Sequence, residues 1–427
     1  MLYKDYVNCR RDYQKEGSLF LLTKKHCCLY YAPGKGKSFT AIDAIIEVNK
    51  LKYGRAKVLI LSTADAIKNM WKAEIDPQKI LPENTVMMSL TKAIQENTKR
   101  DLLNTNWDLI IIDECHKIKS HSTKSSKLVY ALSKRTEYVW GLSGTPRGNS
   151  DLDIYCQFHN MCVGDWGNIS YTAFVEQFCD IDIKYFNGIR VNVPLGISRR
   201  YKDFWNKNIE EFTQRIGYDD EDNMPDLVVN VEKLPFVKDK FYKDAEEGVI
   251  ELSEFETTMT KLTAIQKLHQ IANGFLYYDD DNDNRSVYKI RRNEKLDWLK
   301  DNLCTNSTIV YRFAEDYFQI SEELNIIGLS FTDNVEKFKN KEADILLLQC
   351  SRCESFNLQQ CSHIIFYTLD YSFIKYDQMI HRIWRMGQKN QCKITILLFD
   401  GSVENKIWNA VKNKQELSEL FMAIKGE

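Results

Sequence analysis

The chain has 427 residues, long enough for two or three domains rather than one. It is 44% hydrophobic and 28% charged with a formal net charge of −2, which suits a protein with sizeable cores and excludes a uniformly basic nucleic-acid binder. Any positive potential for DNA or RNA must sit in one groove.

No apolar run approaches bilayer length, so no membrane partner is expected, and Met1 to Lys15 lacks the apolar stretch of a secretory signal. Twelve cysteines without such a signal point to free thiols in a reducing, cytoplasmic setting, the host cytoplasm for a viral protein.

In chain order, the first predicted strand is His26 to Tyr31, an apolar run of buried parallel type. After it come Ala32-Pro33-Gly34-Lys35-Gly36-Lys37-Ser38 and an apolar helix through Phe39, Ala41, Ile42 and Ile45. This is the strand, glycine loop, Gly-Lys-Ser and helix of a phosphate-binding loop, although Tyr31 stands where a strict P-loop has its first Gly. Gly34, Lys35 and Gly36 let backbone N–H groups wrap a polyphosphate at the positive end of the helix. Lys37 can reach the outer phosphates, and Ser38 can ligate magnesium.

A second strand is predicted over Lys57 to Ser62 and a third over Leu109 to Ile112, followed at its carboxyl end by Asp113-Glu114-Cys115-His116. Ligands gather at that end of open α/β sheets. Asp113 suits magnesium, and Glu114 suits the general base that polarises the attacking water. Tyr138 to Leu142 is a fourth strand.

From Asp151 to Arg292 the pattern changes to aromatic and charged, with helical periodicity over Phe255 to Ile271. Two acidic clusters punctuate it, Asp219 to Asp222 and Asp279 to Asp283. The second lacks the Gly and Glu of a calcium loop, with Asn284 and Ile290 in their places, and reads as a hairpin tip. A second set of strands follows: Thr308 to Phe313, Ala343 to Gln349, His363 to Thr368 and Lys393 to Phe399. The expected organisation is an ATP-binding lobe over 1–160, helical insertions and linker over 161–290, and a second lobe over 291–427.

The motifs resemble the superfamily-2 helicases of the Asp-Glu-x-His kind, and within them the Swi/Snf-type remodeller and repair translocases. Arg11-Asp12-Tyr13-Gln14-Lys15-Glu16-Gly17 resembles the opening motif, in which Gln14 would read the adenine edge. Val58-Leu59-Ile60-Leu61 with Trp71-Lys72-Ala73-Glu74, and Leu142-Ser143-Gly144-Thr145-Pro146, resemble the next motifs. In the second half, Glu354-Ser355-Phe356-Asn357-Leu358-Gln359 is similar to "Glu-Gly-Leu-Asn-Leu-Gln". Gln378, Arg382, Arg385, Gly387 and Gln388 keep the spacing Gln-x3-Arg-x2-Arg-x-Gly-Gln. Gly401-Ser402-Val403-Glu404-Asn405-Lys406-Ile407 resembles the closing helix start.

The resemblance implies α/β architecture, two RecA-like parallel-sheet lobes in tandem with a mostly helical insertion between them. It implies a DNA-dependent ATPase using ATP and Mg2+, with Gln378 at the nucleotide and Arg382 and Arg385 as guanidiniums that stabilise the transferred phosphoryl group. Their spacing predicts one helix face for both arginines. Ser62, Thr63, Thr91, Ser143 and Asn357 are the candidate contacts to a sugar-phosphate backbone, which position a strand without reading sequence.

The expected partner is duplex or branched DNA, alongside a possible replication or recombination protein. The chain resembles a bare motor of compact bacterial or phage type, without room for a histone-reading or added DNA-binding segment. A duplex-DNA translocase is the leading reading. A strand-separating helicase on DNA or RNA, and a nucleotide-gated clamp that barely turns over, are the alternatives. Cys350, Cys353, Cys361 and His363 are of zinc-ligand type, but their places on strands and inside a motif favour free buried thiols.

Overall fold

The computed structural model describes all residues except 1, 147–149, 187–188, 219–223, 248, 253–254, 259–260, 280–284, 353–357, 386 and 414–427. The chain folds as two compact units, Met1–Asp219 and Asp220–Glu427.

Unit 1 opens with α1 (Tyr3–Cys9) and α2 (Asp12–Lys24) and is built on strands β1 (His26–Tyr31), β2 (Val58–Ser62), β3 (Thr85–Ser89), β4 (Leu109–Asp113) and β5 (Tyr138–Leu142). An antiparallel hairpin, β6 (Cys179–Phe186) with β7 (Ile189–Ile197), precedes a last short strand, β8 (Thr213–Ile216). Six strands form one parallel sheet in the order β3-β2-β4-β5-β1-β8. Successive residues of each strand serve opposite faces, so Leu109 and Ile111 join one core while Ile110 and Ile112 join the other. Both faces are covered, which is why these strands are continuous apolar runs and not alternating ones.

Helix α3 (Lys37–Leu51) follows the loop after β1 and packs beside α2. Gly17 of α2 is there because nothing larger fits. A Cβ at this position would lie 2.1 Å from the Tyr31 hydroxyl and 2.9 Å from Thr40.

Unit 2 repeats the plan. Strand β9 (Leu227–Leu234) comes first, then hairpins β10 (Val249–Leu252) with β11 (Phe255–Thr258) and β12 (Phe275–Asp279) with β13 (Arg285–Lys289). Helix α4 (Lys261–Ala272) lies between the hairpins, and α5 (Lys295–Asn302) follows them. The sheet is completed by β14 (Ser307–Tyr311), β15 (Phe331–Thr332), β16 (Ile345–Gln349), β17 (His363–Phe366) and β18 (Cys392–Phe399). All its pairs are parallel, in the order β15-β16-β14-β17-β18-β9. Helices α6 (Ala314–Ile326), α7 (Phe373–Ile383) and α8 (Val403–Lys412) complete the elements used below.

A buried ionic cluster ties the helices of unit 2 together. Lys295 and Glu404, 0% and 2% exposed, meet at 2.6 Å. Asn273 donates to the same Glu404 oxygen at 2.9 Å, His269 Nε2 lies 3.3 Å away, and the other oxygen accepts the Phe399 N–H at 2.9 Å. Lys295 also donates to the Tyr367 carbonyl at 2.7 Å. Burial by itself raises the Glu404 carboxyl, but Lys295 and His269 overturn it and hold the group down to about 2.

The structure departs from the sequence-based expectations in the middle of the chain. Residues 161–290 are not one inserted body: they hold three hairpins beside their helices, and the boundary between units falls inside them. They also supply one edge strand of each sheet, β8 to unit 1 and β9 to unit 2. Helical periodicity over Phe255 to Ile271 is kept only from Lys261, because Phe255–Thr258 pairs with Val249–Leu252. Asp279 ends β12, as a hairpin reading requires, with the tip at 280–284 outside the described residues, as is the cluster at Asp219 to Asp222.

Candidate nucleotide site

The carboxyl ends of β1, β5, β4 and β2 lie side by side and carry, in that order, the glycine loop, Ser143-Gly144-Thr145, Asp113-Glu114 and Ser62-Thr63. The strand between the two halves of the phosphate site is thus β5. A Cβ on Gly144 would come within 3.3 Å of the Pro33 ring, so the glycine sets how closely the loop after β5 approaches the glycine loop.

Gly34 and Gly36 hold φ of +88° and +80°, the left-handed backbone that glycine adopts freely, and α3 begins immediately at Lys37. Ser38 is the second helical residue, half-buried, with its hydroxyl 3.6 Å from the Met70 sulfur. Lys35 is fully buried with its ammonium 5.4 Å above the Tyr13 ring, while its carbonyl accepts from Tyr13 Oη at 3.1 Å and Gln14 Nε2 at 3.0 Å. Gln14 Oε1 accepts the Arg11 N–H at 2.8 Å. The amide expected at adenine therefore also braces the glycine loop from inside, against Gly36, where a Cβ would clash with it at 2.4 Å.

Asp113 is 3% exposed, and its Oδ2 accepts from the Trp71 indole N–H at 3.0 Å and the Ser62 hydroxyl at 3.2 Å. Burial, then the adjacent Glu114 charge, pushes its carboxyl up to about 6, against the pull of Trp71, Lys37 and Ser62. Trp71 sits fully buried in a π-helical stretch, Ile67–Ile75, a rare geometry that gathers at functional sites.

Glu114 holds φ +56°, which costs a non-glycine residue of order 1 kcal/mol or more. That turn carries its side chain to His116, whose Nδ1 lies 3.2 Å from Glu114 Oε2 and 3.2 Å from Ser143 Oγ. Ser143 Oγ in turn accepts the Thr145 N–H at 3.1 Å. A carboxylate, an imidazole and a hydroxyl thus link the loops after β4 and β5.

The hydroxyls expected at a nucleic-acid backbone divide into two groups. Ser62 and Ser143 are 0% exposed and committed to Asp113 and His116, so their side chains serve the carboxylate site instead of the surface. Thr91 is exposed, and Thr63 is half-exposed and caps a short helix through the Ala66 N–H. Asn357 lies outside the described residues.

In unit 2, Gln378 is 7% exposed on α7 and its side-chain oxygen meets no hydrogen-bond partner among the described residues. The shared helix face expected for Arg382 and Arg385 is not kept: α7 ends at Ile383, so Arg385 lies beyond it. The chain turns out at Trp384, whose indole donates to the Pro225 carbonyl at 2.8 Å and stacks on His381. Gln388 holds the following bend by donating to the Gln359 and Cys361 carbonyls at 2.8 and 2.9 Å.

The oxygen donors Ser38 and Asp113 fit magnesium, which takes one or two carboxylates plus substrate phosphates instead of a full protein cage. A buried carboxylate raised to about 6 beside a second one is stabilised by a divalent cation. The cysteines weighed for zinc point elsewhere. Cys350 Sγ faces the Thr368 carbonyl at 3.6 Å, Cys361 Sγ the His363 carbonyl at 3.2 Å, and His363 Nε2 the Thr395 hydroxyl at 2.9 Å. Cys353 is outside the described residues.

Fold and site together are those of a P-loop protein of the two-lobed superfamily-2 helicase class. Two family models match consecutive stretches, an SNF2-related domain over residues 77–274 and a helicase conserved C-terminal domain over 289–387. The chain belongs to the Swi/Snf-type branch of that superfamily.

The putative ATP-dependent helicase/translocase YwqA of Bacillus subtilis is 22% identical, over 96% of this chain and 48% of its own. The human DNA annealing helicase and endonuclease ZRANB3 is 20% identical over 95% and 40%, and the uncharacterized ATP-dependent helicase YqhH of Bacillus subtilis 24% over 92% and 75%. The chain therefore spans about half the length of YwqA and less of ZRANB3. The solved Sulfolobus solfataricus SWI2/SNF2 ATPase core in complex with dsDNA matches over 97% of this chain and 92% of its own at 20% identity, with a TM-score of 0.42, too loose to carry detail.

Trp71 and His116 both stood in quoted motifs, yet their roles were not legible there. What they hold lies 42 and 27 residues away in the chain, at Asp113 and Ser143.

Proposed function

We propose that this chain is an ATP-driven motor that moves along duplex DNA without reading its sequence. The observation that carries the reading is the meeting of glycine loop, Trp71-held Asp113 and the Glu114–His116–Ser143 link on one sheet edge. Phosphoryl transfer needs mainly positioning and charge stabilisation, and this edge supplies both.

In this reading the loop amides from Gly34 to Gly36 and the Lys37 ammonium hold the triphosphate, and Gln14 faces the base. Ser38 and Asp113 would hold magnesium, which would supply positive charge to offset that of the phosphates. Glu114 accepts the proton of the attacking water, and His116 orients Glu114 and reports its state to the loop after β5 through Ser143. Gln378, Arg382 and Arg385 are proposed as the contribution of unit 2, the arginines as guanidiniums for the transferred phosphoryl group.

Support for DNA comes from a relative: ZRANB3 is named for DNA annealing. Contacts through Thr63, Thr91 and backbone amides make the binding sequence-independent and salt-sensitive. The motor works wherever DNA is reached without crossing a membrane, in the cytoplasm of a bacterium or the host cytoplasm for a viral member. Among the described residues no helix is long and apolar enough to span a bilayer.

Glu114→Gln tests the chemistry. It is expected to keep ATP affinity while hydrolysis falls by about 100-fold or more, the scale of a lost general base. Turnover at the unsubstituted rate overturns the assignment.

A further inference from the structure

The segment that leaves unit 1 is bonded directly to the glycine loop. Strand β8 pairs with β1 along its whole length, Cys28 opposite Thr213 through Tyr31 opposite Ile216. Beyond the strand the contacts continue into the loop itself. The Ala32 N–H donates to the Ile216 carbonyl at 2.8 Å, and the Tyr218 hydroxyl donates to the Pro33 carbonyl at 2.7 Å. Inside the sheet, the Tyr31 hydroxyl donates to Gln214 Oε1 at 2.5 Å, and Gln214 Nε2 donates to the Tyr13 carbonyl at 3.3 Å. One short stretch, Gln214 to Tyr218, thus touches the adenine-side helix α2 and the first residues of the phosphate loop. One residue after Tyr218 the unit ends.

Pro33 is held from two sides. Gly144 packs against its ring, and Tyr218 caps its carbonyl. Between the strand and this cap stands Gly217, exposed, with no described residue within 4 Å of a Cβ built there. Tyr218 is therefore attached to rigid β8 through one unencumbered glycine, so its hydroxyl can leave Pro33 without disturbing the sheet.

We propose that Tyr218 is a positioning residue that latches the phosphate loop to the end of β8, so that nucleotide occupancy and the placement of the last described residues of unit 1 are coupled. The inference rests on the ATPase reading above and adds to it a named route by which the loop senses the segment that leaves unit 1. A tether on the Pro33 carbonyl fixes the loop on the side where its amides must face phosphate. Conversely, a loop drawn onto triphosphate fixes the tether.

The test is Tyr218→Phe in the full chain, which removes one oxygen and keeps the ring. The expected result is a rise of about fivefold in KM for ATP, the scale of one lost neutral hydrogen bond, larger than any fall in kcat. The second measurement is hydrogen exchange by mass spectrometry with a non-hydrolysable ATP analogue. In the unsubstituted protein the analogue slows exchange in peptides over both residues 32–38 and 213–218. In Tyr218→Phe it slows exchange in the first peptide only.

An unchanged KM, or analogue-induced protection over 213–218 that survives the substitution, overturns the latch. So does equal loss of KM, kcat and melting temperature, which marks a plain strut. Failure of the wider reading looks different: the unsubstituted protein itself then neither binds the analogue nor hydrolyses ATP.

Discussion

The Trp71 indole N–H donates to Asp113 Oδ2 at 3.0 Å, joining a π-helical stretch after β2 to the carboxylate at the end of β4. Both groups are buried, so the bond is made in low dielectric, and the acceptor is the group proposed to hold magnesium. The same carboxylate is pushed up to about 6 by its burial and by Glu114, and the Trp71 bond is the first of the influences that restrain the rise.

Trp71→Phe keeps the ring and removes the donor. The Asp113 carboxyl then titrates higher still, and the acid limb of the kcat/KM profile moves to higher pH. A hydrogen bond to an ionised group contributes about 1.5–3 kcal/mol, so kcat/KM near neutrality falls by about tenfold or more. An acid limb that stays in place contradicts this role for Trp71.

Asp113→Asn should separate stability from activity. The folded carboxyl titrates at about 6, above its ordinary 3.8, so the ionised group opposes folding. That cost is fully present above pH 6 and absent below about 3.8. Asparagine can still accept from Trp71 and Ser62 through its carbonyl. Thermal unfolding at pH 7.5 is expected to show unit 1 stabilised by about 1–3 kcal/mol, converging with the unsubstituted protein toward pH 4, while ATP hydrolysis is lost. A destabilised variant at pH 7.5 contradicts the assignment.

The Lys295–Glu404 pair in unit 2 carries the opposite sign. Glu404 is held down to about 2, below its ordinary 4.5, so its contribution is present above pH 4.5 and is lost as pH falls from there toward 2. Lys295→Met strands a buried carboxylate and should cost about 3–5 kcal/mol near neutrality, with the deficit shrinking in acid. Denaturant unfolding of both proteins at pH 7 and pH 3 checks this, and a deficit independent of pH excludes the ionic account.

The sheets were legible in the sequence because parallel strands covered on both faces are unbroken apolar runs. Leu109 to Ile112 and Tyr138 to Leu142 fall almost where they were read, at Leu109–Asp113 and Tyr138–Leu142. Strands at the sheet edges were not legible. Thr213–Ile216 and Leu227–Leu234 mix polar with apolar residues, since one side lacks a neighbouring strand, and only tertiary pairing identifies them.

Motif spacing proposes Lys37, Asp113 and Glu114 but does not report the direction of nearby hydroxyls. Ser62 ends a strand with its side chain inward, on Asp113, which no local pattern reports. Arg385 was misplaced because i,i+3 spacing presumes a continuous helix, whereas Trp384 turns the chain out to reach Pro225.

In the proposed motor, hydrolysis at the Asp113–Glu114 edge is driven by engagement with duplex DNA. ATP turnover of the full chain, measured alone and with single-stranded DNA, duplex DNA, forked DNA and RNA, tests it most directly. Turnover is expected to be low alone and to rise by about tenfold or more with duplex DNA, fading as salt rises. Turnover that is the same with every nucleic acid and with none contradicts it.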